Sequence, residues 1–239
     1  MNFILDILFP KKCVGCGKLG TFFCKICISG ILQKNLICPK CKRLAIGGKT
    51  HPICRRKYGL DGLWSLGIYQ GSFQEAIKQL KYGKVKGLAV TLADITIEYW
   101  AKFQPFVLDQ IKKSRGVGWV VIPVPLFWWR ANKRGFNQAS LIGQILSNRL
   151  GLDYCDALKR TRHTKPQVKL KGKERCQNIR GAFAVLKAYT QLSQKGCVNP
   201  KQYVLLIDDV WTTGSTLREC CYVLKKAGAK KVWVITLAR

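Results

Sequence analysis

Six of the twelve cysteines stand in three C-x-x-C pairs: Cys13 with Cys16, Cys24 with Cys27, and Cys38 with Cys41. A fourth unit, His51 with Cys54, keeps the spacing and exchanges one thiolate for an imidazole. A two-residue gap lets both side chains of such a knuckle face one ion, and two knuckles complete a tetrahedron around zinc. Eight ligand-type residues therefore predict two metal sites. In sequence order these are Cys13, Cys16, Cys24, Cys27 and then Cys38, Cys41, His51, Cys54; a cross-braced pairing is the alternative. A thioredoxin-like redox pair competes with this reading, but that motif occurs once beside a βαβ unit rather than serially. So short a segment lacks a core of its own, and bound metal must supply much of its folding free energy. Cys155, Cys176, Cys197, Cys220 and Cys221 show no ligand spacing and read as packed thiols.

The pattern changes near residue 60, which divides the chain into a cysteine-rich module over residues 1–59 and a larger unit over residues 60–239. "LWSLGIY" reads as a strand ending at Tyr69. "SFQEAIKQLKY" follows as a helix with Ser72 and Glu75 in capping-box spacing, and a second helix covers much of residues 88–103. "GWVVIPV" is a buried strand. After a loop comes the amphipathic helix "NQASLIGQILSNRLG", capped by Asn137 and stopped by Gly151. "YVLLI", "STLRECCYVLKKAG" and "KKVWVITLA" complete a strand, helix, strand series. Apolar strands separated by helices predict an α/β fold with a parallel sheet covered on both faces. A length of 239 residues suffices for one such core and a small accessory module. The longest apolar stretch, "VGWVVIPVPLFWW", is too short to span a membrane and carries two prolines. "MNFILDILFP" lacks the basic n-region and cleavage site of a signal peptide. A cytoplasmic protein is expected, with its cysteines serving as ligands or core thiols rather than disulfides.

Lys and Arg number 42 against 12 Asp and Glu, a formal charge of +30. Such an excess implies a polyanionic partner, nucleic acid first and an anionic membrane surface second. Against that background "VLLIDDVWTTGST" sets two acids, Asp208 and Asp209, at the end of a strand and before a turn suited to an anion. Gly214 lets the backbone approach closely, and the amides opening the next helix face a monophosphate together with the hydroxyls of Thr212, Thr213, Ser215 and Thr216. Ionised carboxylates only accept hydrogen bonds, so they suit a vicinal diol and not the phosphate itself. A phosphate cradle beside diol acceptors describes a ribose 5-phosphate. The bland alternative, acids that complement a helix dipole, is worth typically ~0.3–1 kcal/mol and accounts for one acid rather than two.

This segment resembles the phosphoribosyl pyrophosphate (PRPP) motif of type I phosphoribosyltransferases. Across nearly its full length the chain resembles the ComF/GntX family of competence-related proteins. The resemblance is carried by the cysteine-rich head, "LKYGK", "PVPLFWWRANKRGFNQASL", "KRTRHTKPQVKLKGKERCQNIRGAF" and "VLLIDDVWTTGST". It implies a double zinc ribbon followed by a type I phosphoribosyltransferase-like parallel sheet, with a link to DNA uptake in natural transformation. It also implies that Val124, Pro125 and Leu126 form the pyrophosphate loop. A flexible loop over residues 159–180 would close on the pyrophosphate, with Thr164, Gln167, Arg175, Asn178 and Arg180 at matching positions. His51 departs from the cysteine usual there, and Trp211 replaces a smaller residue and is expected to narrow or cap the nucleotide pocket.

Arg130, Lys133 and Arg134 stand before a helix N-terminus, where three cations suit pyrophosphate or a nucleic-acid backbone. Of Phe127, Trp128 and Trp129, at least one is expected in the core, and the others are open to stacking on unpaired bases. The basic run over residues 159–180 has no clear period and reads as a mobile loop. The resulting expectation is a PRPP-binding protein whose basic loops engage single-stranded DNA during uptake. Mg²⁺ would bridge the diphosphate, and the zinc head would offer a docking surface for a helicase or translocation partner at the inner face of the membrane. The second reading is a phosphoribosyltransferase that moves ribose 5-phosphate to a base or an amine.

Overall fold

Strands that are apolar on both faces are satisfied only inside a layered sheet, and that is where this chain puts them. The computed structural model describes residues 10–83, 85–113, 118–164, 172–186 and 202–239. Helix α1 (Lys25–Ser29) and two 3₁₀ turns (Ile46–Gly48, Pro52–Cys54) punctuate the cysteine-rich segment. Then come β1 (Gly62–Gly67), α2 (Gly71–Tyr82), α3 (Gly87–Phe103), α4 (Pro105–Lys113), β2 (Trp119–Pro123), α5 (Trp128–Arg134) and α6 (Gln138–Leu150). The chain continues through β3 (Asp153–Tyr154), β4 (Leu158–Arg160), α7 (Gly172–Ile179), β5 (Phe183–Val185), β6 (Tyr203–Val210), α8 (Ser215–Lys226) and β7 (Lys231–Ala238).

Five strands form a parallel sheet in the order β1-β7-β6-β2-β3, and β4 pairs antiparallel with β5. The strands alternate their apolar side chains between two cores. Trp119, Val121, Leu205, Ile207, Trp233 and Ile235 face α3 and α6, while Val120, Ile122, Val204, Leu206, Val232 and Val234 face α8. The α/β architecture, with cysteine clusters preceding a parallel sheet, is the one expected. No helix among the described residues is long and apolar enough to cross a membrane.

Local chemistry explains the element boundaries. Asn137 Oδ1 accepts the Ala139 amide at 3.1 Å, and Gly151 closes the same helix in the left-handed conformation (φ 63). The capping box read at Ser72 does not form. Gln70 is the N-cap, and Ser72 Oγ instead donates to the carbonyl of Cys27 at 3.3 Å, tying α2 to the first cysteine cluster. The basic run over residues 159–180 is not a bare loop: β4 and α7 lie in it, held by Leu158, Ile179, Ala182 and Phe183 in the second core. Residues 165–171, with Gln167, and the start at 1–9 lie outside the described residues. One thiol departs from expectation, since Cys155 is disulfide-bonded; Cys220 and Cys221 are buried free thiols.

The cysteine-rich segment is fused to the sheet unit. Cys13, Phe23, Cys24 and Cys27 belong to the same core as Trp64, Phe73 and Leu88. The Ile68 amide donates to Leu32 at 2.8 Å and the Thr50 amide to Asp61 at 2.9 Å.

Candidate functional site

Two neighbouring strands send the chain in opposite directions. From β2 it passes to β3 on one side, and from β6 to β7 on the other. A parallel sheet opens a ligand crevice at the carboxyl ends of such a pair. A cavity of about 640 Å³ lies there, between the segment after β2 and the segment after β6.

The acid pair forms one wall. Strand β6 runs on to Val210, so Asp208 and Asp209 are its last turns of pleat, both half-buried. Asp209 makes an ion pair with Lys81 Nζ at 2.9 Å, each side chain only 17% exposed. Asp208 Oδ1 accepts the Asp209 amide at 2.9 Å. Burial first, then the neighbouring Asp209 charge, raises the Asp208 carboxyl to about 7; the Asp209 amide, Lys81 and Arg160 offset part of that. Burial alone would lower the Lys81 ammonium, but Asp209 and Asp208 hold it above its ordinary value. Lys81 stands in the last turn of α2 inside "LKYGK", and sequence reasoning gives it no role; an acid pair in a basic chain is the signal to seek its counter-ion.

The Thr/Gly/Ser turn after β6 forms the floor. Thr212, Gly214, Ser215 and Thr216 line the cavity. Thr213 turns inward as a brace, its Oγ1 3.0 Å from Ser215 Oγ and 3.4 Å from the Ser215 amide. Gly214 is the N-cap of α8 with φ 73, and a Cβ there would collide with the ring of Trp211. Trp211 itself is 4% exposed and packed in the second core. Its ring packs against Gly214, and Trp211 is not itself among the residues that line the cavity.

Cations form the remaining wall. Val124, Pro125, Leu126, Arg130, Lys133 and Arg134, grouped together in the sequence reading, line the cavity with Lys81 and Arg160. Arg130, Lys133 and Arg134 sit on the short helix α5, absent from that reading. Arg134 donates to Gln138 Oε1 at 3.0 Å and lies 4.9 Å from the ring centroid of Tyr82. Arg160 contacts Thr164, and its buried Nε has no hydrogen-bond partner. Burial, then repulsion from Arg130, lowers the Arg160 guanidinium to about 10. Burial and Arg134 likewise lower Arg130. Mutually repelling, partly desolvated guanidiniums are stabilised by an anion between them. Arg180 is exposed and lies away from the cavity, its carbonyl accepting from Arg162 at 2.7 Å; the Arg175 side chain lies outside the described residues. None of the three aromatics is fully buried. Phe127 is half-buried against His163, while Trp128 and Trp129 are 64% and 50% exposed.

The ligand-type residues of the head gather into two groups in sequence order, Cys13, Cys16, Cys24, Cys27 and Cys38, Cys41, His51, Cys54. Within each group all ligand atoms lie within 4.8 Å of one another. A tetrahedron with metal–sulfur bonds of about 2.3 Å has edges of about 3.8 Å. Cys13 Sγ lies 3.7 Å from Cys27 Sγ, and Cys16 Sγ lies 3.6 Å from Cys24 Sγ. His51 turns Nδ1 toward Cys41 Sγ at 3.3 Å while its Nε2 meets the Leu44 carbonyl at 2.8 Å. That carbonyl fixes Nε2 as the protonated nitrogen and leaves Nδ1 free to ligate. Burial raises the Cys13 and Cys38 thiols, but backbone amides outweigh it and bring them down to about 6 and about 7. Burial, then neighbouring sulfurs, takes Cys27 up to about 12 and Cys54 up to about 11. Four ligand atoms gathered at such spacing match a tetrahedral ion, and both groups can hold zinc.

Comparison with known proteins gives three representative relatives. The chain is 40% identical over 120 residues to Competence protein F of Haemophilus influenzae, a match covering 50% of this chain and 49% of that one. It is 29% identical over 223 residues to DNA utilization protein YhgH of Salmonella typhi, covering 90% and 89%. It is 31% identical over 137 residues to Competence protein ComFC of Streptococcus pneumoniae, covering 57% and 54%. The chain thus spans about half the length of the two competence proteins and nine tenths of the third relative. No family model matches it.

Proposed function

Because the chain belongs to the ComF family of competence proteins, we propose that it binds PRPP in the crevice between β2 and β6 and handles incoming single-stranded DNA during transformation. The relatives support the coarser role in competence and DNA uptake. The observation that carries the finer reading is the convergence, in one crevice, of an anion loop, two carboxylates and five cations. Thr212, Gly214, Ser215 and Thr216 receive the 5-phosphate, with Thr213 bracing them. Asp208 accepts from the ribose hydroxyls, and Asp209 does so while paired with Lys81. The loop at Val124, Pro125 and Leu126, with Arg130, Lys133, Arg134 and Arg160, receives the diphosphate. The partnerless Arg160 Nε supports an anion at that end. Mg²⁺ would supply charge neutralisation across the diphosphate, held largely by ligand oxygens and water.

Residues 1–59 act in this reading as a zinc-stabilised head on a phosphoribosyltransferase-like unit of residues 60–239, offered to a helicase or translocation partner at the membrane's inner face. The exposed Trp128 and Trp129 beside Arg130, Lys133 and Arg134 extend the crevice into a surface suited to unpaired bases and their phosphates. Calorimetry of the zinc-loaded protein with PRPP and Mg²⁺ tests the first half, and absence of heat overturns it. Single-stranded oligonucleotide binding across a salt series tests the second. A steep loss of affinity with salt is expected, and no binding at low salt refutes it.

A further inference from the structure

A short chain of contacts joins the second cysteine–histidine cluster to the anion loop. Pro39 lies between Cys38 and Cys41, so its carbonyl is held wherever that knuckle is held. Arg218, in the first turn of α8, donates Nη1 to this carbonyl at 2.9 Å and Nη2 to the carbonyl of Thr213. Its guanidinium also lies 5.5 Å from the ring centroid of Trp211, the ring against which Gly214 rests. One planar group therefore ties together the knuckle, the floor of the loop and the loop itself. Lysine has no equivalent, since a single ammonium lacks the rigid fork that spans two carbonyls while lying on an aromatic face.

The consequence follows from the geometry of the peptide group. In a planar trans peptide the C=O and the following N–H point in opposite directions. Holding the Thr213 carbonyl on Arg218 turns the Gly214 amide away from Arg218. Gly214 lines the cavity where an anion would sit, and glycine alone would leave this peptide free to rotate. We propose that Arg218 is a positioning residue that sets the Gly214 amide for its anion and makes that setting depend on metal in the Cys38, Cys41, His51, Cys54 cluster. The dependence on a phosphate ligand rests on the PRPP reading; the mechanical link does not.

The test is hydrogen exchange of the amides at residues 212–216 in the full-length, zinc-loaded chain without ligand. Arg218→Gln, Cys54→Ser and the double variant are compared with the wild type, and zinc content is measured in parallel. Each single substitution should speed loop exchange roughly ten-fold or more, the scale of a lost hydrogen bond from a charged donor. Because both act through one link, the double variant should exchange no faster than the faster single one. Arg218→Gln should keep its full zinc complement, and β7 amides should exchange as in the wild type. Arg218→Lys, which preserves the charge, should fall between Gln and wild type and serves if Gln does not fold. Wild-type loop exchange in zinc-loaded Arg218→Gln, or accelerations that multiply in the double variant, would overturn the proposal. Calorimetry then adds the ligand: Arg218→Gln should weaken PRPP binding roughly ten-fold by the same scale. A wild type that binds no PRPP defeats the functional reading while the exchange data still decide this one.

Discussion

Replacing Asp208 with asparagine should make the protein more stable at alkaline pH, and the gain should grow as pH rises. The carboxyl has an ordinary value of 3.8 and is raised to about 7 in the folded chain by burial and by Asp209. The folded state therefore binds the proton more tightly than the unfolded chain. That contribution is complete below about pH 4 and is lost as pH rises through about 7. With those two values, ionising Asp208 costs on the order of 4 kcal/mol above pH 8, and about 2 to 3 kcal/mol of it develops between pH 5 and 8. The amide side chain of Asp208→Asn cannot ionise, keeps an oxygen for the Asp209 amide, and leaves the Lys81–Asp209 pair intact. Urea unfolding of both zinc-loaded proteins at half-unit steps from pH 5 to 8 measures the difference. Protonation of the shared metal ligands cancels in the comparison. A stability difference that stays flat over this window, or an asparagine variant weaker than wild type at pH 8, would refute the electrostatic account of the site.

Gly214→Ala combines a left-handed backbone with a collision against Trp211 and should destabilise by about 2 to 4 kcal/mol in denaturant unfolding. Arg130→Ala together with Arg134→Ala should weaken PRPP and oligonucleotide alike and flatten the log–log salt slope for DNA by roughly 1 to 2; an unchanged slope places the DNA elsewhere. His51→Ala removes one ligand atom from the second cluster and should lower bound zinc toward a single ion by metal analysis, with the first cluster retained. Retention of both ions would show that His51 does not ligate.

The parts of this molecule that can be read from sequence are those decided by local chemistry. Asn137 and Gly151 bracket α6 because a side-chain oxygen and a left-handed glycine act within one turn. The knuckle pairs group in order because short spacings leave few geometries. Ser72 misleads because its hydroxyl can either accept a helix amide or donate to a carbonyl, and the partner it takes, the Cys27 carbonyl, lies 45 residues away in sequence. Lys81 and Arg160 reach the crevice from elements remote from β6, so their contribution appears only once the sheet order is known. Trp211 is expected to narrow or cap the pocket because it replaces a smaller residue of the family's pattern. It follows the last residue of β6 and packs in the second core against Gly214. The helix α5 is too short to leave a period, and α7 is polar enough to hide its buried contact, Ile179.

The joint between head and sheet has a practical outcome. Phe23 and Cys27 complete the greasy flank that Trp64 and Phe73 begin, and Gly15 is so close to Ser72 that a methyl group would sit 2.8 Å from its Cβ. A truncated protein starting after Gly59 would bare that flank to water and clump, so genetic dissection of this molecule belongs at single side chains rather than at a cut between halves.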